Sequence, residues 1–167
     1  QACVAQTRVL ASRAKYDEVV EAMTEATKAM VVGDPMDMGT AVGPLVAARQ
    51  RDRVEGYIAA GRDAGATVTT GGGRPAGFDR GWFVEPTVFA GVTNDMVIAR
   101  EEIFGPVVSL IAYDDEADAV RIANDCDYGL SGTVWTADID RGVDVARGVR
   151  RRRDVRQLVE RDAVPRR

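Results

Sequence analysis

The sequence predicts an α/β domain with a largely parallel sheet, and three observations carry that prediction. Short segments rich in apolar and β-branched residues alternate with stretches whose apolar residues recur at helical spacing. The segment VVSLIAY (107–113) is apolar almost throughout, as a strand covered on both faces should be. With 167 residues the chain fits one domain and is long enough to bury a real core.

Taken in order, TRVLA (7–11) reads as a short strand. Tyr16, Val19, Val20, Met23, Ala26, Thr27 and Met30 then recur at helical spacing, and Gly33-Asp34-Pro35 stops the pattern. A second helix is predicted from about Val46 to Ala64, with Val54, Tyr57 and Ile58 on one face and Gly65 as its stop. ATVTT (66–70) follows as a strand, and GGGRPAGFDRG (71–81) as a turn-rich loop. WFVEPTVFAGV (82–92) looks extended, with Pro86 pointing to an edge or a bulge rather than a central strand. After VVSLIAY, Asp114 or Asp115 can cap a helix carrying Ala119, Ile122, Ala123 and Cys126 on one side. SGTVWT (131–136) reads as another strand, and Ile139, Val143 and Ala146 mark a last helix.

Composition narrows the function. Residues 150–167 hold eight arginines against Asp154, Glu160 and Asp162, a local balance of +5 that leaves −9 on the rest of a chain of net charge −4. An acidic body argues against nucleic acid as a partner, which wants a basic face. No apolar run approaches the roughly 20 residues that span a bilayer, so no membrane partner is expected. There is no histidine, and Cys3 and Cys126 form no CxxC pair. That removes most zinc sites and any Cys–His or Ser–His nucleophile pair within these residues.

Taken singly, the chemical signals are weak. Cys3 by itself reads as an exposed or half-buried thiol near an end of the chain. Gly71-Gly72-Gly73 lacks the order of a dinucleotide-binding glycine motif and opens no helix, so it reads as a turn. Glu101-Glu102 reads as a solvated helix end.

Five segments together are more specific: QAC (1–3), VGDPMDMGTAVGPLV (32–46), GWFVEPTVFAGV (81–92), REEIFGPVVSL (100–110) and ANDCDYGLSGTVWT (123–136). In order and spacing they resemble the NAD(P)-dependent aldehyde dehydrogenase family over residues 1–149. The resemblance implies an incomplete three-layer α/β/α Rossmann-like catalytic domain, covering roughly the last third of a family chain. It implies oxidation of a small-molecule aldehyde to a carboxylic acid with NAD or NADP, in a cytoplasmic enzyme that is a homo-oligomer when intact.

Residue by residue, the resemblance makes Cys3 the nucleophile, its own N–H one donor to the oxyanion, and Glu102 the carboxylate that meets the nicotinamide ribose. Phe104 becomes the aromatic side chain beside the nicotinamide. Gln50 is matched to the cofactor as well, with Arg53 beside it, on a looser local likeness that leaves solvated helix positions as the competing reading. The family's dinucleotide-binding domain, general-base glutamate and oxyanion-hole asparagine match nothing here, so the chain by itself is expected to be inactive. A non-catalytic remnant or interaction module, and a cysteine esterase, are the other classes. Residues 150–167 depart from the family pattern and are set apart as an atypical basic tail. A change of reading frame, an amphipathic helix through Val155, Leu158, Val159 and Ala163, and an RNA-binding arm are the readings open there.

Overall fold

The computed structural model describes residues 1–149. The expectations for residues 150–167 lie outside the described residues. Four strands, β1 (Arg8–Ser12), β2 (Thr67–Thr70), β3 (Thr87–Ala90) and β4 (Val107–Tyr113), form one sheet in the order β1-β4-β3-β2. β4 pairs in parallel with β1 and with β3, whereas β2 runs antiparallel to β3 with an irregular register between Val68 and Thr70. The helices are α1 (Tyr16–Lys28), α2 (Ala48–Asp63), α3 (Val97–Arg100), α4 (Glu116–Asn124) and α5 (Ile139–Gly148). This is the mixed, mostly parallel α/β architecture that the alternating pattern predicts.

β4 is the centre of the core. Val107 and Ile111 join Val54 and Ile58 of α2, Phe89 of β3, Ile98 of α3 and Ile122 of α4 in one buried cluster. Leu110, one position out of phase, is also fully buried, as is Val88 of β3. Successive strand residues point to opposite faces, so both faces are covered, which explains why the run is apolar without alternation. Gly61 of α2 is needed for this packing, because a Cβ there would come within 2.9 Å of the Phe89 ring.

The ends of the elements follow their side chains. Asp115 caps α4 by accepting from the Asp118 N–H at 2.8 Å, and Asp138 caps α5 by accepting from Arg141 N–H at 3.1 Å. α2 stops where Gly65 takes a φ of 91°. The Arg8 guanidinium closes the other end of α4, donating to the carbonyls of Ile122 and Ala123 at 3.1 Å.

Several sequence expectations need correction. β3 is an interior strand, not an edge, because it starts one residue after Pro86 and no ladder N–H falls on the proline. SGTVWT is not a strand: its links to the segment before β1 are side-chain bonds, from Gln6 Nε2 to Thr133 Oγ1 at 2.8 Å and from Ser131 Oγ to the Val4 carbonyl. Without a backbone ladder, β-prone composition does not make a strand. Cys126 lies beyond the end of α4, with its thiol 3.0 Å from the Arg8 guanidinium. Met30 falls past the end of α1 and is exposed.

Replacing Phe89 by alanine should cost about 3–5 kcal/mol in urea unfolding, since it removes a fully buried ring at the centre of the cluster. Met38→Ala, at a fully exposed position, should change stability by less than about 0.5 kcal/mol. Acid should also weaken the fold. The Arg74 hydrogen bond holds Glu55 below its ordinary 4.5. The Asp114 N–H and then Arg121 hold Asp118 below 3.8, and Arg100 and then Asn94 do so for Asp125. These carboxylates take up protons more readily when unfolded. Their stabilising effect is therefore present above the ordinary values and lost as pH falls through the lower folded ones. The urea midpoint should hold down to about pH 5 and fall progressively below about pH 4.5, with a shallower fall in high salt.

Candidate active site

Because β1, β4 and β3 are parallel, their amino ends share one edge of the sheet. Among the segments that enter at that edge are residues 1–7 before β1 and residues 101–106 before β4. The first carries Cys3 and the second carries Glu102 and Phe104. Topology therefore brings the two sequence motifs to the same edge.

Cys3 sits in a turn closed by the Ala5 N–H bonding the Ala2 carbonyl at 3.0 Å, and its thiol is free and exposed. The Cys3 N–H makes no hydrogen bond among the described residues. Two residues upstream, Gln1 Oε1 accepts from the Val46 N–H at 2.9 Å, which ties this turn to the loop leading into α2. Gln1, Pro44, Leu45 and Pro106 line a shared open cavity of about 360 Å³. Pro106 ends the second segment, so one cavity touches both.

The second segment is an exposed loop fixed by one buried residue. Ile103 is 3% exposed, whereas its neighbours Glu102 and Phe104 face solvent. Phe104 has a φ of 58°, a left-handed conformation that costs a non-glycine residue about 1–3 kcal/mol. Gly105 follows, packed so closely on Val54 of α2 that a Cβ would overlap its γ-carbons. Burial of Ile103 contributes about 1.5–3 kcal/mol, enough to offset the strain beside it.

Helix α2 adds polar restraints. Gln50 Nε2 donates to the carbonyls of Ile103 at 3.1 Å and Phe104 at 3.0 Å. One turn on, Arg53 Nη2 donates to the Glu102 carbonyl at 2.7 Å and to Tyr57 Oη at 2.9 Å. Tyr57 Oη in turn donates to Glu101 Oε2 at 2.5 Å. Burial, and then the hydrogen bond to Glu101, push the Tyr57 phenol above its ordinary 10. The Glu102 carboxylate takes no hydrogen bond among the described residues.

The sequence-expected residues thus fall into two groups. Gln50, Arg53, Glu102 and Phe104 meet at one loop, and Gln50 and Arg53 are neither idle nor merely solvated. No hydrogen bond joins Cys3 to any of them. Tyr57 and Gln1 were not expected to take part. The 50, 53, 57 spacing on one helix face could have revealed Tyr57, which the apolar pattern had claimed instead. No group of His, Cys, Asp and Glu among the described residues could hold a metal ion. The glycine triplet is a bend with positive φ at Gly71 and Gly72, and the Gly72 N–H is taken by Thr87 Oγ1.

The open, mostly parallel α/β sheet with its helices is Rossmann-like. The chain belongs to the aldehyde dehydrogenase family, whose model matches residues 1–151. It is 54% identical over 147 residues to a geranial dehydrogenase of Castellaniella defragrans, covering 88% of this chain and 30% of that protein. To a betaine aldehyde dehydrogenase of Brucella ovis it is 48% identical over 144 residues, covering 85% and 30%. The fold matches the crystal structure of a Mycobacterium tuberculosis aldehyde dehydrogenase complexed with NAD+ with a TM-score of 0.89 and 54% identity, covering 90% of this chain and 31% of that one. The chain therefore spans about 30% of the length of the relatives it matches.

The two glycines nearest this loop test its packing. Gly105→Ala should cost about 1–3 kcal/mol in urea unfolding through overpacking on Val54. Gly56→Ala, on the open side of α2 with nothing within 4 Å, should stabilise by about 0.5–1 kcal/mol.

Proposed function

We propose that these residues form the nucleophile and nicotinamide-facing part of an aldehyde dehydrogenase that oxidises aldehydes to carboxylic acids. The observation that carries the reading is the shared sheet edge, where the segment holding Cys3 and the segment holding Glu102 and Phe104 both enter, with Gln1 of the first and Pro106 of the second lining one cavity. In this reading Cys3 Sγ adds to the aldehyde carbon, forming a C–S bond and turning the carbonyl oxygen into an oxyanion. The Cys3 N–H has no other partner among the described residues, which supports a role as donor to that oxyanion. After oxidation, water cleaves the resulting thioester, releasing the acid and restoring the thiol.

NAD or NADP, when bound, supplies the hydride acceptor. The residues present fit such a group. Glu102 offers two unbonded acceptor oxygens that suit a ribose diol, and the Phe104 ring is exposed beside it. The Gln50 amide nitrogen is already committed to the Ile103 and Phe104 carbonyls, so only its Oε1 remains for a cofactor. Relatives named for geranial and betaine aldehyde, and a similar structure complexed with NAD+, support the same chemistry. A homo-oligomeric state and a cytoplasmic setting belong to this reading on the family resemblance alone. The thioester step needs an activated water, and the family's general base matches none of these residues. We infer that the 167-residue chain by itself is inactive.

The test is a graft of residues 1–149 in place of the matching segment of the Castellaniella geranial dehydrogenase. The graft should form NADH with an aldehyde, the chain by itself should not, and Cys3→Ser should abolish turnover in the graft. Glu102→Gln should slow it roughly ten- to a hundredfold, equivalent to about 1.5–3 kcal/mol for a hydrogen bond to a charged acceptor. Turnover that survives Cys3→Ser would remove Cys3 from the mechanism, and turnover by the chain by itself would overturn the inferred inactivity.

A further inference from the structure

We propose that Tyr57 and Arg53 are positioning residues that hold the Glu101–Phe104 loop in the one conformation able to present Glu102 and Phe104 to a cofactor. The inference rests on the cofactor reading of those two residues. Its basis is a continuous relay on one face of α2. Arg53 bonds the Glu102 carbonyl at 2.7 Å and the Tyr57 oxygen at 2.9 Å, and Tyr57 bonds the Glu101 carboxylate at 2.5 Å. The Arg53 guanidinium also lies over the Tyr57 ring, 4.9 Å from its centroid, so each side chain limits the other's rotamers.

This relay grips the loop on the Glu101 side, whereas Gln50 grips it on the Ile103–Phe104 side. Glu102 lies between the two grips. Its carbonyl is bound and its carboxylate is not, so the backbone is fixed while the side chain stays available. The strained φ of Phe104 calls for such restraint, since a strained conformation persists only when its surroundings over-determine it. Burial keeps the Tyr57 phenol protonated, hence a donor, at any ordinary pH.

The chain itself gives the first test. Backbone 15N order parameters at residues 102–105 should lie near the rigid value of about 0.85 and fall toward about 0.6 in Tyr57→Phe and in Arg53→Met. Order in β4 should stay as it was. Glu101→Gln, which keeps an acceptor for the Tyr57 hydroxyl, should keep the loop ordered. An unchanged loop in Tyr57→Phe, or loosening that spreads to β4, overturns the proposal.

The grafted enzyme gives the second test, with NADH as the probe and binding read by its fluorescence. Tyr57→Phe should weaken NADH binding about fivefold or more and leave the aldehyde KM unchanged. If the loop loosens and NADH affinity does not move while Glu102→Gln does weaken it, the positioning role is overturned and the cofactor reading stands. If Glu102→Gln has no effect either, it is the cofactor reading of Glu102 that fails.

Discussion

The parallel ladder of β4 with β1 and β3 is the constraint on which the rest depends. Parallel pairing forces the chain to leave the sheet after each strand and return to the same edge before the next. Residues 1–7 lead into β1 and residues 101–106 into β4 at that edge, and they hold Cys3, Glu102 and Phe104. An antiparallel β4 would carry its preceding loop to the opposite edge and separate the thiol from the carboxylate. β2, which is antiparallel, contributes none of these residues. The ladder is in turn stabilised by burial on both faces of β4, where Val107, Leu110 and Ile111 are each almost wholly withdrawn from solvent.

Local rules at the site are broken where the global fold can sustain it. A phenylalanine at positive φ and two exposed side chains either side of an isoleucine make a poor loop in isolation. They are held because Ile103 is buried, Gly105 lets α2 approach, and two polar side chains of α2 bind the loop carbonyls. Each such hydrogen bond contributes only about 0.5–1.5 kcal/mol net. Acting together with the burial of Ile103, they exceed the strain at Phe104. Local disagreement with propensity at a site, compensated by its surroundings, is the expected pattern for functional residues.

Legibility in the sequence divides along physical lines. β4 could be read because burial on both faces leaves a continuous apolar run. α4 could be read because Asp115 caps it, and α5 because Ile139, Val143 and Ala146 recur at helical spacing. SGTVWT misled because strand propensity says nothing about whether a ladder partner is present, and its partners here are the Gln6 side chain and the Val4 carbonyl. Pro86 misled because the residue that bars a ladder bond stands just outside the strand. At the site, Cys3, Glu102 and Phe104 were weak signals singly and stood out only through the five motifs read together. Tyr57 was not, because a phenol satisfies an apolar helix face and a hydrogen-bond relay equally well. Only the position of its hydroxyl, on Glu101 and Arg53, separates the two.

The sheet has a second edge, and the contrast with it bears on the proposed site. Open α/β sheets commonly bind ligands in the crevice at the carboxyl ends of their strands. A larger groove of about 570 Å³ lies there, with Arg13, Asp114, Asp118 and Arg121 in its lining. Those charges are already matched, Arg13 to Asp114 at 2.5 Å and Arg121 to Asp118 at 2.6 Å, and Tyr16 is satisfied by the Leu110 carbonyl and the Gly91 N–H. The Asp17 carboxylate, also in the lining, makes no bond among the described residues. At the amino edge the Cys3 thiol, the Cys3 N–H and the Glu102 carboxylate make no bonds among the described residues. Unmatched polar groups held on a fixed backbone are what binding and catalysis require. Volume favours one edge of this sheet, and an unspent thiol, N–H and carboxylate favour the other.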